Sequence, residues 1–317
     1  MEKRQLGQSD LKVAPLTLGG NVFGWTIDEA RSFEVLDGFV AAGFNLIDTA
    51  DVYSRWAPGN TGGESETIIG NWMKARGNRE KVIIATKVGG DMGQGKKDLS
   101  RSYILKAAED SLRRLQTDHI DLYQTHWDDD TTPVEETLDA YQQLIKEGKV
   151  RWIGASNLSP ARLTASLEAS EQQGLPRYQT FQPHYNLYVR DQFERELEQI
   201  CIDQHLGVIN YYSLASGFLT GKYRSKEDLS KSARGGGVAN YLDERGFKIL
   251  AALDEIAARY HTQPASVAIA WLIARPSVTA PIASATSTAQ LQDLVAAANL
   301  KLDADAITLL NEASAWR

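Results

Sequence analysis

Apolar runs that end on a polar or ionisable side chain recur along this chain and alternate with stretches of helical spacing. Phe44–Asp48 reads FNLID, Val82–Lys87 reads VIIATK and Ile120–His126 reads IDLYQTH. VIIAT and GVINY are apolar almost throughout rather than alternating, as strands covered on both faces of a parallel sheet require. Strands are predicted at 16–18, 44–48, 82–86, 121–125, 150–155, 178–182, 207–211 and 278–282. Between them lie helical patterns. Glu29–Ala42 carries Phe33, Leu36 and Val40 on one face and stops at Gly43. Further helices are predicted over 64–74, 100–115 (Ser100 as its cap), Pro133 to Lys146, 160–172, 190–204, 247–260, 264–273 and 288–298, with a last one over 304–315 packed outside. Arg4–Leu6 and Leu11–Val13 flank the turn-forming GQSD and predict a small hairpin. A long loop runs from Ser213 to about Arg245.

This order predicts one (β/α)8 TIM barrel over residues 1–317, with an N-terminal β-hairpin, a long loop after strand seven and an extra C-terminal helix. A doubly wound open sheet is the alternative. It lacks its fingerprint here, because the glycines of GGNVFG and GGDMGQG are wrongly spaced for G-x-G-x-x-G.

The 317 residues are 43% hydrophobic and 24% charged, an ordinary globular balance. The net charge of −7 and the scattered Lys and Arg give no footprint for nucleic acid. The single cysteine, Cys201, excludes an internal disulfide and sits in a helical, core-facing context. No apolar run reaches the ~18 residues a membrane span needs, and the N-terminus does not read as a signal peptide. A cytoplasmic protein without a membrane partner is expected, its oligomeric state open. The five histidines are dispersed, and no metal site is expected.

In a barrel the strand ends converge on one cavity. Gly19 and Gly20, Asp48, Lys87, His126, Ser156 with Asn157, Gln182 and Tyr211 close the first seven strands. A lysine straight after VIIAT needs an anionic partner, because a lone buried ammonium costs several kcal/mol; Asp48 on the adjacent strand supplies one. Asp48 alone reads equally well as a turn cap, His126 as a core histidine and Tyr53 as packing. Together they read as an acid–base set, in which Lys87 lowers the Tyr53 pKa from about 10 and His126 bonds the phenol or a substrate oxygen. Ser156, Asn157 and Gln182 suit a carboxamide, and Tyr211 offers a face for a ring. The small-residue loop SLASGFLTGKY suits a pyrophosphate. These are the needs of a nicotinamide dinucleotide bound without a Rossmann fold.

At this point the chain resembles the aldo-keto reductase family, over nearly its whole length. GFNLIDTADVYS is similar to the family signature, which puts the catalytic aspartate at Asp48 and the catalytic tyrosine at Tyr53. IIATKV supplies Lys87, SLRRLQTDHIDLYQTH supplies His126, and GKVRWIGASNLS and FQPHYN supply Ser156, Asn157 and Gln182 for the nicotinamide amide. YYSLASGFLTGKY matches the stacking Tyr211 and a phosphate loop with Leu214, Ser216 and Gly217. The resemblance implies reversible NADPH-dependent reduction of an aldehyde or ketone, with Tyr53 giving the proton.

The departure is PIASATSTAQLQDLVAA. Ser284 stands for the usual glycine, Thr286 for the usual basic residue and Leu294 for the usual Asn, while Gln290 and Asp293 remain. The adenosine 2′-phosphate would then rest on hydroxyls, a helix N-terminus, and Lys222 or Arg224. NADP(H) is expected in preference to NAD(H), which stays open. Trp25, Trp56, Trp127 and the loop near Tyr241 either line a pocket for bulky or apolar carbonyl compounds or cover the rim. Asp128–Asp130 reads as a solvated loop. The alternatives to a reductase are a cofactor-sensing regulatory subunit with slow turnover and a Schiff-base aldolase using Lys87.

Overall fold

The computed structural model of the chain describes residues 2–231 and 235–316. A short antiparallel hairpin, β1 (Arg4–Gln5) and β2 (Lys12–Val13), precedes eight parallel strands. These are β3 (Thr17–Gly19), β4 (Leu46–Asp48), β5 (Ile83–Val88), β6 (Ile120–Thr125), β7 (Val150–Ser156), β8 (Thr180–Gln182), β9 (Gly207–Val208) and β10 (Ile282–Ala283), neighbours in chain order, with β10 beside β3. The two ends of the sheet meet. The Thr279 N–H donates to the Val208 carbonyl at 2.8 Å, and the Ile282 N–H donates to the Asn210 carbonyl at 2.9 Å. Val208 and Val278 form a parallel bridge. The ring is closed, so no hydrogen-bonding edge is left open. This is the predicted (β/α)8 barrel.

Helices α1 (Glu29–Ala41), α2 (Glu64–Arg76), α3 (Arg101–Leu115), α4 (Val134–Lys146) and α5 (Pro160–Gln173) follow β3 to β7 in turn. Beyond β8 come α6 (Asp191–Glu194) and α7 (Leu197–Asp203), and beyond β9 come α8 (Glu244–Arg259) and α9 (Pro264–Ala274). The chain ends on α10 (Thr288–Asn299) and α11 (Ala304–Ala313). Successive strand residues point to opposite faces, and two separate cores result. Ile47, Ile84, Tyr123, Ile153, Phe181 and Val208 face outward and pack with Leu36, Phe39, Trp72 and Leu112 of the helices. Leu46, Ala85, Leu122, Ile209 and Ile282 face inward and pack with Leu6, Leu11 and Val13 of the hairpin. The hairpin thus plugs the end where the strands begin. Gly7, with φ +60°, makes the closest approach there; a Cβ on it would strike the Gln179 backbone.

Regular pairing is shorter than the expected runs at β4, β8, β9 and β10, and Phe44–Asn45 lie outside β4. The helix expected over 190–204 is two, α6 and α7. The break falls at Glu196, whose φ of −141° is not helical; Arg190, ahead of α6, binds Glu194 at 2.7 Å and Ser314 at 2.9 Å. Ser100 stands at the start of α3 but its side chain makes no cap bond; the Arg101 N–H donates instead to Glu136 of α4 at 2.9 Å. The loop after β9 contains 3-10 turns over Ala215–Thr220, Lys226–Lys231 and Gly235–Tyr241, and residues 232–234 of it lie outside the described residues.

Candidate active site

Two residues past the inner apolar layer, on the same faces of the same strands, the side chains turn polar. Leu46 is followed by Asp48, Ala85 by Lys87, Leu122 by Gln124, Thr180 by Gln182 and Ile209 by Tyr211. Gly154 of β7 is the gap in this layer. A Cβ there would collide with the Thr180 hydroxyl and stand 3.2 Å from Gln124 Cγ.

Lys87 and Asp48 are fully enclosed, and their Nζ and Oδ2 atoms are 2.6 Å apart. The Lys87 ammonium also donates to the Thr49 carbonyl at 2.8 Å and to Tyr53 Oη at 2.9 Å. Its three N–H donors are therefore all used. Asp48 Oδ1 accepts from Gln182 Nε2 at 2.9 Å, and the Tyr53 hydroxyl lies 3.3 Å from Asp48 Oδ2. The turn carrying Tyr53 is pinned to the sheet. The Thr49 N–H donates to the Ala85 carbonyl, the Asp51 N–H to the Lys87 carbonyl, and Ser54 Oγ to the Phe23 carbonyl at 2.6 Å. The His126 ring stands edge-on to Tyr53, centroids 5.9 Å apart, with Trp127 stacked on its other side.

Burial pushes the His126 pKa well below its ordinary value, and the Lys87 cation adds to this, so the imidazole is neutral. Burial also lowers Lys87, against the pull of Asp48. The expected lowering of Tyr53 is not found. Burial and then the Asp48 carboxylate drive that phenol well above its ordinary value, and they outweigh the ammonium beside it. Tyr53 therefore holds its proton firmly.

The neutral groups gather beside this set. Ser156 Oγ donates to the Gln182 carbonyl at 2.8 Å, Asn157 Nδ2 to the His126 carbonyl at 2.9 Å, and Tyr211 Oη to Asn157 Oδ1 at 2.7 Å. Asn157 takes a left-handed φ of 54°, which turns it off the strand end. Leu214 leads into a turn where Ser216 (φ 57°) and Gly217 (φ 96°) are also left-handed, the backbone form that presents N–H groups to an anion. A Cβ on Gly217 would stand 3.6 Å from Lys222 Nζ, so an ammonium borders this turn. These residues fit a ring amide followed by a phosphate.

The C-terminal candidates are less engaged. Ser284 Oγ bonds Asn21 Oδ1 at 2.5 Å. The Thr286 N–H and hydroxyl both donate to Gln290 Oε1, and the Asp293 carbonyl accepts from Ser266. Leu294 is buried. Arg224 is held by Asp254 at 2.8 Å and by the Gly221 carbonyl, which leaves Lys222 as the nearer cation for a phosphate.

Trp25 and Trp56 meet edge to face at 5.5 Å, and Trp56 meets Tyr53 at 6.0 Å. Trp56 is the indole in contact with the phenol; Trp25 reaches it through Trp56, and Trp127 through His126. Tyr241 packs on Tyr188 and Phe218 instead. The Asp128–Asp130 loop is not simply solvated: Asp128 binds Arg162 at 2.8 Å, and buried Asp129 accepts from Thr131, Thr132 and the Leu99 N–H. The Cys201 thiol is buried and pushed up to about 12 by that burial. A broad depression lined by Arg79, Glu109, Arg113 and Lys149 lies on the helical exterior and includes no strand-end residue. No group of three or more His, Cys, Asp or Glu among the described residues is placed to hold a metal. Among the described residues no helix is long and apolar enough to cross a membrane.

Several site residues escaped the sequence reading. Gln124 is two residues before His126, so strand alternation could have found it. His184, stacked on Tyr211 at 5.2 Å, comes from the same FQPHYN segment as Gln182. Asn21 and Glu66 carry no local signal, and Asp51 stands inside GFNLIDTADVYS with nothing in that segment to mark it out.

The aldo/keto reductase family model matches residues 15–315. Protein tas of Escherichia coli (strain K12) is 34% identical, over 97% of this chain and 96% of its own. The oxidoreductase YrpG of Bacillus subtilis (strain 168) is 34% identical, over 98% of this chain and 95% of its own. A probable voltage-gated potassium channel subunit beta of Arabidopsis thaliana is 31% identical, over 92% of this chain and 90% of its own. The chain belongs to the aldo/keto reductase family, whose chemistry is oxidoreduction with a nicotinamide cofactor.

Proposed function

We propose that the protein reduces an aldehyde or ketone to its alcohol, reversibly, with Tyr53 as the proton donor. The observation that carries this is the contact of Lys87 Nζ with both Asp48 (2.6 Å) and the Tyr53 oxygen (2.9 Å) inside a closed barrel mouth. A bound reduced nicotinamide supplies the hydride. Tyr53 delivers its proton to the carbonyl oxygen as negative charge builds there, and Lys87 stabilises the phenolate left behind. Asp48 keeps Lys87 charged and aimed. Neutral His126 orients the substrate oxygen by a hydrogen bond without competing as an acid.

Ser156, Asn157 and Gln182 hold the carboxamide, and Tyr211 stacks on the ring. Leu214, Ser216 and Gly217 receive the pyrophosphate. Ser284, Thr286, Gln290, Asp293 and the N-terminus of α10 face the adenosine end. NADP(H) is the preferred cofactor, with Lys222 and the hydroxyls meeting the 2′-phosphate; separate fluorescence titrations with NADPH and NADH test this, and tighter NADH binding would reverse it. Trp25, Trp56 and Trp127 favour bulky or apolar carbonyl substrates.

Replacing Tyr53 by Phe tests the central role. Turnover should fall by about 10²–10⁴-fold with cofactor affinity unchanged; turnover at the wild-type rate refutes it. Likeness to a channel subunit supports a second reading, a cofactor-sensing protein with slow turnover. The complete acid–base set weighs against it, and a kcat far below about 1 s⁻¹ on every carbonyl tried would favour it. A Schiff-base role for Lys87 is disfavoured, since every donor of its ammonium is taken within an enclosed ion pair.

A further inference from the structure

Asp51 lies between Asp48 and Tyr53 in the same turn, and its N–H donates to the carbonyl of Lys87. Its side chain is 1% exposed. Neither carboxyl oxygen has a hydrogen-bond partner among the described residues, and neither does the buried hydroxyl of Tyr123 on β6. The charges around it are already matched. Lys87 is paired with Asp48. Glu66 of α2, fully buried, is paired with Arg114 of α3 at 2.6 Å and accepts from Thr86 at 2.5 Å. Two cations thus meet two carboxylates, and Asp51 is the third carboxyl. An Asp51 anion would raise the Tyr103 (α3), Tyr123 (β6) and Tyr141 (α4) phenols further, so no counter-charge comes from them.

An ionised carboxylate with no donor and no spare counter-charge is far costlier to bury than the neutral acid. Burial, and next the Glu66 carboxylate, raise Asp51 to about 8. Arg114, the nearby Val52 N–H and Lys87 pull the other way, and the Val52 N–H does so without reaching hydrogen-bond geometry.

We propose that Asp51 is a positioning residue for the Lys87–Tyr53 pair: it stands behind them as an uncharged carboxylic acid, which leaves Asp48 the one anion holding the Lys87 ammonium against the Tyr53 oxygen. This rests on the reading of Tyr53 as proton donor. When Asp51 ionises at alkaline pH, a second anion draws on Lys87 and the phenol is harder to deprotonate. Stability follows the same proton. The unfolded chain sheds it near pH 4 and the folded chain near pH 8, so stability falls as pH rises between the two.

The test is Asp51→Asn, which keeps the shape and cannot ionise, compared with wild type from pH 5 to pH 9. Melting temperatures should nearly coincide at pH 5, with the variant several degrees higher at pH 9. The wild-type rate of alcohol oxidation or carbonyl reduction should lose one power of ten per pH unit above about 8, with that limb displaced upward by a unit or more in the variant. A melting difference independent of pH overturns the neutral acid, and an unmoved alkaline limb overturns the positioning role. If neither protein turns over, the Tyr53 reading fails, and the melting difference still decides the charge of Asp51. Should the variant not fold, wild type with isotope-labelled aspartate decides: a protonated-carboxyl stretch that shifts with the label at pH 7 and fades through pH 8 supports the proposal, and its absence at pH 6 overturns it.

Discussion

The mouth of the barrel over β4 to β8 and the segments proposed to hold the adenosine end of the cofactor are both polar, but their hydrogen bonds are of different kinds. Lys87 reaches 39 residues back to Asp48, and Gln182 reaches 134 residues back to the same carboxylate. At the other end Thr286 bonds Gln290, four residues on, and Thr220 bonds Gly217, three residues back. The first network exists only when the ring is closed, and it is enclosed from water. The second forms largely within single turns, with Ser284–Asn21 and Ser266–Asp293 as its long-range bonds, and is half open to solvent. Strand register therefore fixes the chemistry at the mouth, whereas the adenosine end can trade local partners for a ligand's at small cost.

Substitutions at the two ends should break this contrast in opposite ways. Lys87→Met removes the charge that compensates Asp48 and the support for the Tyr53 oxygen. Turnover should drop by about 10²–10⁴-fold, and the stranded carboxylate should cost about 3–5 kcal/mol of stability, read by denaturant unfolding. Little loss in either would mean that the pair is not coupled to the fold. Gly154→Ala acts on the same layer through packing alone. Its Cβ has no room beside Thr180 and Gln124, so a loss of about 1–3 kcal/mol is expected together with a lower kcat. Thr286→Arg, at the open end, should leave stability unchanged and strengthen NADPH binding over NADH by roughly tenfold, as one added charge-assisted bond of ~1.5 kcal/mol implies. A large stability loss there would erase the distinction between the two ends.

The same contrast governs what the sequence discloses. Asp48, Lys87, His126, Ser156 and Gln182 were legible because each ends or nearly ends an apolar run, and a period of two fixes which of them share a face. Tyr53 was legible through its motif, but its pKa was not, since burial and Asp48 outweigh the nearby cation only once the pocket is closed around them. Gln124 was hidden by its neutrality. Asp51 and Glu66 were hidden because their meaning lies in a charge balance across α2, α3 and β5 that no short stretch of chain displays. The division of α6 from α7 falls at Glu196, whose φ of −141° is not helical. The eight-strand order was recoverable from periodicity. The closing bonds between the Val208 and Thr279 segments were not, because regular pairing there is down to two residues in β9.

The most direct test of a phenolic proton donor working beside a bound hydride source follows the hydride itself. Wild-type protein is given a bulky aromatic aldehyde and reduced nicotinamide adenine dinucleotide phosphate with both C4 hydrogens replaced by deuterium, and the alcohol is analysed by mass spectrometry beside that from Tyr53→Phe. The account predicts deuterium on the carbinol carbon with wild type and almost no alcohol from the variant, though the variant still binds the cofactor. Alcohol without deuterium, or an equal yield from both proteins, would contradict it.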